Sequence, residues 1–386
     1  MRLIDGKTVA AMLFGAAVTV VVVVLVRGLF GGFGGQDAGP QIEDIRPTGA
    51  AAPGATSHAQ DGSRTEDDGE TEEFVPVQEP PAIEIPSGEG RLDCPEATVT
   101  VSDAAGLVEA LDAAEPGTVI HLEPGVYAGR FAAAHPGTES DPIWVCGPAD
   151  AIIDGGGVRK GYAFHLNEVS HWRLVGFSVR NSQKGVMADK TTHTVIQGLT
   201  VHHIGDEAVH LRNFSSDNVV QYCMIYATGL RREKFGEGVY LGTAESNWAT
   251  FSGGRMDRSD RNVVRGNVIR ATAEAVDVKE GTSAGRIIGN VFDGSGLGGS
   301  KHNDSWVDVK GNGYLIQGNT GNATSRDGFQ THRIADGWGT GNVFRRNIIH
   351  LGGSGGVGIN DTVGGNTISC DNEVTGGPLT KKGACS

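Results

Sequence analysis

The sequence predicts an all-β chain wound as a single-stranded parallel solenoid. Three observations carry that prediction. A six-letter strand recurs with a distinctive fourth position, a second strand follows it at a steady offset, and 386 residues hold 60 Gly against 14 Pro. Glycine at that level without a three-residue period belongs to tight turns rather than to a collagen helix.

The first strand column reads "LVGFSV" (174–179), "IQGLTV" (196–201), "VQYCMI" (220–225), "VRGNVI" (264–269), "IIGNVF" (287–292), "IQGNTG" (316–321) and "FRRNII" (344–349). Its fourth letters are Phe177, Leu199, Cys223, Asn267, Asn290, Asn319 and Asn347, at spacings of 22, 24, 44, 23, 29 and 28. The long steps contain insertions, such as the stretch from "LRREKFGEG" through "GRMDRSDRN". The second column reads "GVMAD" (185–189), "AVHLR" (208–212), "GVYLG" (238–242), "AVDVK" (275–279), "WVDVK" (306–310), "GFQTH" (328–332) and "GVGIN" (356–360). Apolar and polar letters alternate, the period of a strand. Gly, Asn and Asp turns separate the two columns.

A period near 22 residues makes each repeat one coil, stacked on the last. Strands of adjacent coils then lie about 4.8 Å apart. Asn fits the first column because it tolerates turn dihedrals and its amide can bond the Asn above and below. An antiparallel sandwich with Asn-rich turns is the alternative. It would not repeat the same inward and outward letters coil after coil.

Taken from the N-terminus, residues 1–30 read as a membrane anchor. Val9 to Val26 is an 18-residue run without charge, longer than a secretory h-region and close to a span. Arg2 and Lys7 precede it, which favours an internal N-terminus and an external remainder. Cleavage as a signal peptide, giving a secreted protein, is the alternative. The expected membrane contact is residues 9–30. Residues 31–93 read as an acidic disordered linker, with 14 Asp/Glu against three Arg and no Lys. The remaining domain, 94–386, carries about −5 of the formal −14, so acidity says little about its partner. Nothing in it indicates nucleic-acid binding. An exported domain permits disulfides. Cys94–Cys146 and Cys370–Cys385 would pin the two ends, leaving Cys223 free.

Residues 98–145 contain "AAGLVEALDAAEPG", "TVIHLEPGVY" and "GTESDPIWV". These pieces resemble the opening coils of right-handed parallel β-helix proteins of the pectate-lyase-like superfamily. The resemblance covers residues 94–386, and its scaffold hosts lyases, hydrolases, epimerases and non-enzymes. Ser102 is expected to cap a short helix with Leu107, Val108 and Leu111 on one face. That helix would close the open end of the solenoid.

In the second column the alternation sends Val276, Val278, Val307 and Val309 inward. One outward stack is then Met187, His210, Tyr240, Asp277, Asp308, Gln330 and Gly358. The next is Asp189, Arg212, Gly242, Lys279, Lys310, His332 and Asn360. Just before the strands run Lys184, Glu207, Glu237, Glu274, Ser305, Asp327 and Gly355. The insertion near "GLGGSKHN" keeps the strand phase, so Asp277 should lie beside Asp308 and Lys279 beside Lys310. Stacked like charges are unfavourable without compensation. One amine of the pair should therefore be depressed, and the carboxylates raised or bound to a cation.

That arrangement suits β-elimination of a uronate-containing acidic polysaccharide, in which the C6 carboxylate is neutralised and the C5 proton removed. The superfamily's lyases combine Ca²⁺ with a lysine base, and the resemblance implies the same here. The resulting assignment makes Lys279 or Lys310 the base. It places Ca²⁺ among Asp277, Asp308, Glu237 and Glu274, and sets Arg212 and His210 on sugar carboxylates. Tyr240, Trp306, Trp338, His332 and Gln330 are candidate sugar contacts. His202, His203, His210 and His332 do not form a zinc spacing. The basic insertions either steer an anionic polymer or simply solvate the surface, and the protein is expected to be monomeric. Paired-carboxylate hydrolysis, uronate epimerisation and non-catalytic carbohydrate adhesion are the alternatives, and a solvated Asp/Lys charge ladder is the purely structural one.

Overall fold

The computed structural model describes residues 90–133, 135–299, 302–381 and 385–386. The expected membrane anchor and all but the last four residues of the acidic linker lie outside the described residues. No helix among the described residues is long and apolar enough to cross a membrane.

Three parallel sheets of 11, 10 and 9 strands are built from strands that visit them in turn, giving about ten coils. We call them sheets 1, 2 and 3 in the order the chain meets them within a coil. In sheet 1, Leu174, Ile196, Val220, Val264, Ile287, Ile316 and Phe344 are in register from one coil to the next. All seven are fully buried. Each coil thus contributes one apolar side chain per rung to a continuous core, and burying each such side chain is worth roughly 1.5–3 kcal/mol.

The turn after sheet 1 explains the fourth-letter column. The residue before it has positive φ in every repeat: Gly176, Gly198, Tyr222, Gly266, Gly289, Gly318 and Arg346. The left-handed turn points the next side chain inward. There Asn267, Asn290, Asn319, Asn347 and Asn372 form a buried ladder. Each of the first four donates its Nδ2 to the Oδ1 of the next, at 2.8–3.0 Å. The same Nδ2 also reaches a carbonyl of the preceding coil, as from Asn319 to Ile287. Cys223 heads the column, and its backbone N–H donates to Asn267.

Helix α1 (Ala104–Asp112) packs on the first coil with Leu107, Ala110 and Leu111 buried. Asp103, not Ser102, caps it: the carboxylate accepts from the Gly106 N–H at 2.8 Å. Val108, expected on the packed face, is 46% exposed, because the buried positions are spaced three and four apart and exclude it. Disulfides join Cys94 to Cys146 and Cys370 to Cys385, and Cys223 is buried as a free thiol.

In the last coil of sheet 3, Gln330 pairs with Asn360 rather than standing beside Gly358. Asp361, not Ile359, faces Thr331, so Asn360 does not stand beside His332 as expected. A two-residue slip preserves the inward and outward alternation, so the pattern could not detect it.

Candidate active site on the third sheet

The outer face of sheet 3 carries the candidate site residues. Met187, His210, Tyr240, Asp277, Asp308, Gln330 and Asn360 occupy successive rungs. The expected stack therefore forms, apart from its last member. Lys279, Lys310 and His332 each come two residues after their coil's member of that stack, so they lie in a parallel outward row.

The two Asp-Val-Lys triplets meet as a stitched chain of opposite charges. Asp277 Oδ2 binds Lys279 Nζ at 2.6 Å, and Asp277 Oδ1 binds Lys310 Nζ at 2.7 Å. Lys310 also binds Asp308 Oδ2 at 2.6 Å, and Asp308 Oδ1 accepts from His332 Nδ1 at 2.7 Å. Burial disfavours both ammonium ions, but Asp277 outweighs it and holds both lysines above the ordinary amine range. The expected depressed lysine base is therefore corrected: both residues are cations at neutral pH. For Asp308 burial is likewise outweighed, by Lys310 and His332, and its carboxyl lies below the usual range. The hydrogen bond to Asp308 raises the His332 imidazole.

Glu237 and Glu274 lie beside this chain. With Asp277 they bring carboxylate oxygens within 4.8 Å of one another, all three residues being buried. Burial, then Glu207, Asp277 and Glu274, push Glu237 well above the carboxylate range. Burial and Asp277 push Glu274 up to about 8. Glu237 Oε2 is buried with no hydrogen-bond partner. Three of the four expected metal ligands thus converge, while Asp308 serves Lys310 and His332 instead.

A second cluster occupies the earlier rungs. Lys184 binds Glu207 at 2.5 Å and approaches His210 Nδ1 at 3.4 Å. His210 Nε2 donates to the Gly242 carbonyl at 2.9 Å. Burial, Lys184 and Arg212 hold its imidazole neutral, well below 6.5. Arg212 is clamped by Asp189 at 2.8 Å and the Tyr162 hydroxyl at 3.3 Å. The Phe251 ring of the inserted helix α2 (Trp248–Phe251) covers its guanidinium at 3.9 Å. His165 holds the same Asp189 at 2.9 Å. Arg212 and His210, expected on sugar carboxylates, are instead consumed by protein partners.

Other expected contacts divide. Trp306 is a core residue, 1% exposed, with its indole N–H on the Ala323 carbonyl. A Cβ on Gly294, Gly321 or Gly328 would approach the indole to 2.6, 2.2 and 2.8 Å, so three glycines make room for it. It cannot stack on a sugar. Gln330 donates its amide to the buried Asp327 at 3.1 Å, and Asn360 donates to the same carboxylate at 2.8 Å. Trp338 is half-buried, with Arg258 over its ring at 5.8 Å. In the basic insertions Arg231 pairs with Asp206, Arg258 with Asp260 and Arg261 with Asp217, so much of their charge is matched.

Tyr240 is placed differently from all of these. Its ring lies between His210, 4.4 Å between centroids, and the Lys279 ammonium, 4.8 Å from the centroid. Its hydroxyl forms no hydrogen bond among the described residues. Burial, then Asp277, Glu237 and Glu207, raise the phenol well above 10, so it rests protonated. Sequence reasoning gave Tyr240 a stacking role only. The signal for more was its position one rung before the first Asp-Val-Lys triplet. Lys184, Glu207, Asp189 and Tyr162 were missed as partners that tie down the neighbouring rungs. The paired carboxylates of Asp277 and Asp308 are both bound to lysine, an arrangement that does not supply the free acid and base of a glycoside hydrolase.

No protein-family model and no curated protein sequence matches the chain. Among solved structures, the alginate lyase from Paenibacillus sp. str. FPU-7 is 34% identical, with a TM-score of 0.68. The match covers 74% of this chain and 98% of that one. The tailspike protein 2 domain of bacteriophage CBA120 shares the fold at 9% identity and a TM-score of 0.50, over 70% of this chain and 40% of that one. The pectate lyase Pel9A is 14% identical with a TM-score of 0.49, covering 72% and 75% of the two chains.

Proposed function

Because the chain belongs to the pectate-lyase-like family of right-handed parallel β-helix proteins, we propose that it is a polysaccharide lyase acting on a uronate-containing polymer by β-elimination. Alginate is the first substrate to test, since the relative at 34% identity is an alginate lyase. The observation that carries the reading is the row of lysine cations beside a free phenol on the outer face of sheet 3. Coils rise about 4.8 Å per rung, close to the length of one sugar residue. A polyuronate lying along the row would meet Lys279, Lys310 and His332 with successive carboxylates.

Lys279 is the cation best able to meet the reacting sugar. It is bound to one carboxylate oxygen, whereas Lys310 bridges two aspartates. Its ammonium neutralises the C6 carboxylate, so that charge developing there on loss of the C5 proton is stabilised. Tyr240 carries the proton. Burial and the neighbouring carboxylates keep the phenol protonated at rest, against the opposing pull of Lys310; in its phenolate form its oxygen takes the C5 proton. The C4–C5 double bond forms, the C4–O4 bond breaks, and the phenol returns the proton to O4. The phenolate fraction is small at neutral pH, so the rate rises with pH. His332 is the second reading for the acceptor. Asp308 fixes its Nδ1 and raises the imidazole above its ordinary value, leaving Nε2 as the nitrogen an oriented general base would use.

The two disulfides support an oxidising compartment outside the cytoplasm. The apolar run at 9–26 supports a tether to the membrane.

The test is the ultraviolet absorbance of unsaturated uronate products from alginate, polygalacturonate and a glycosaminoglycan. Wild type generates the chromophore, and Tyr240→Phe lowers kcat by roughly 10²–10⁴. New reducing ends without the chromophore would make the enzyme a hydrolase, and polymer retention without turnover would make it a binding protein. Loss of activity in His332→Asn with Tyr240→Phe intact would move the proton acceptor to the imidazole.

A further inference from the structure

The acidic cluster next to Tyr240 invites a divalent cation, and the fold family implies Ca²⁺. Calcium takes six to eight oxygen ligands at about 2.3–2.6 Å. Glu237, Glu274 and Asp277 present oxygens within 4.8 Å of one another, and Glu237 Oε2 is buried without a partner. The central ligand, however, is already spent. Both oxygens of Asp277 hold ammonium groups, at 2.6 and 2.7 Å. Both oxygens of Asp308 hold Lys310 and His332, at 2.6 and 2.7 Å.

A Ca²⁺ seated on Asp277 would therefore lie beside two ammonium nitrogens in a buried site, where like charges repel far more strongly than in water. Neither lysine has free room to withdraw. Their side chains are 13% and 11% exposed, and the ring of Tyr240 lies against Lys279. The residues present do not fit the ion.

We infer that Lys279 and Lys310 are built-in cations that take the place of a divalent metal in this cluster, so that charge neutralisation of the substrate carboxylate needs no metal. Two aspartates face two lysines along the strip, and the Lys310 ammonium, bound to Asp277 and Asp308 of adjacent coils, sits where a bridging ion would sit. The activity arm of this inference rests on the lyase reading, and its binding arm does not.

The test uses the full chain. Equilibrium dialysis against Ca²⁺, with Mn²⁺ as a paramagnetic probe, measures binding directly. Turnover of the best polymer is measured before and after exhaustive chelation. Wild type is expected to bind no stoichiometric ion in the sub-millimolar range and to keep its turnover after chelation. The double variant Lys279→Met/Lys310→Met frees the carboxylates and is expected to gain a site roughly tenfold tighter or more, because ligand charge count sets calcium affinity. Lys279→Gln, at the more exposed lysine, replaces the double variant if that fails to fold. One Ca²⁺ bound per wild-type chain, or turnover lost on chelation and restored by Ca²⁺, overturns the inference, as does a folded variant that gains no site. Absence of unsaturated product with or without metal defeats the lyase reading alone, and dialysis still decides the cation question.

Discussion

Replacing Lys310 with Met tests the electrostatics of the strip most severely. Lys310 bridges Asp277 at 2.7 Å and Asp308 at 2.6 Å, and those residues are 3% and 7% exposed. They sit on adjacent rungs. Met fills nearly the same volume, so packing changes little and the effect isolates charge. Removing one partner of a buried ion pair leaves an uncompensated charge, which costs about 3–5 kcal/mol. Here two carboxylates lose the same partner, so the expected loss lies toward the upper end. Lys279 still serves Asp277, and His332 still serves Asp308, which keeps it from exceeding that range. The assay is urea unfolding followed by tryptophan fluorescence, to which Trp306, buried next to this coil's strand, contributes with the chain's four other tryptophans. A companion variant, Lys310→Met/Asp308→Asn, removes one charge of each sign and should recover most of the stability while leaving activity low. A loss under about 1 kcal/mol in Lys310→Met, the range of surface ion pairs, would refute the stitched chain. Failure of the companion variant to recover would assign the loss to packing instead.

Two further outcomes follow from the ladder and the buried acids. Asn319→Ala removes bonds from its Nδ2 to Ile287 and Asn347 and strands the Asn290 N–H that its Oδ1 accepts. A loss of about 3 kcal/mol is expected, read as an earlier urea transition; a loss within error would mean that the ladder is decorative. Glu274 titrates at about 8 when folded against 4.5 otherwise, so between those values the folded chain holds a proton that the unfolded chain does not. Stability therefore falls as pH rises through that window, by at most about 1.4 kcal/mol per pH unit from this group. Glu274→Gln should flatten that part of the slope in urea midpoints taken between acid and mildly alkaline pH, and an unchanged slope would remove Glu274 as its source.

The solenoid was legible because its information is local and repeated. One letter in three or four sets each rung, and the left-handed turn before the column recurs in every coil, even where Tyr222 and Arg346 replace glycine. The placement of Asp277 beside Asp308 followed from the same period. What the period could not provide was the depth and partnership of a side chain. Alternation placed Arg212 outward, and it is outward, yet Phe251 covers it from an insertion whose path no repeat constrains. Trp306 stands where the alternation says outward, but the glycines at 294, 321 and 328 open a hole that draws it inward. The protonation states turned on a finer point. Stacked lysines would depress each other if each saw only its equal across the rung. Lysine is long enough to reach back to the aspartate of the preceding coil, so Asp277 receives two ammonium groups instead of one. The sign of the shift then reverses, and with it the proposed chemistry: a lysine held above the ordinary amine range serves as a cation rather than as the base. In the proposed mechanism the proton then falls to a group the charge pattern never marked, the unengaged hydroxyl of Tyr240 one rung before the first triplet.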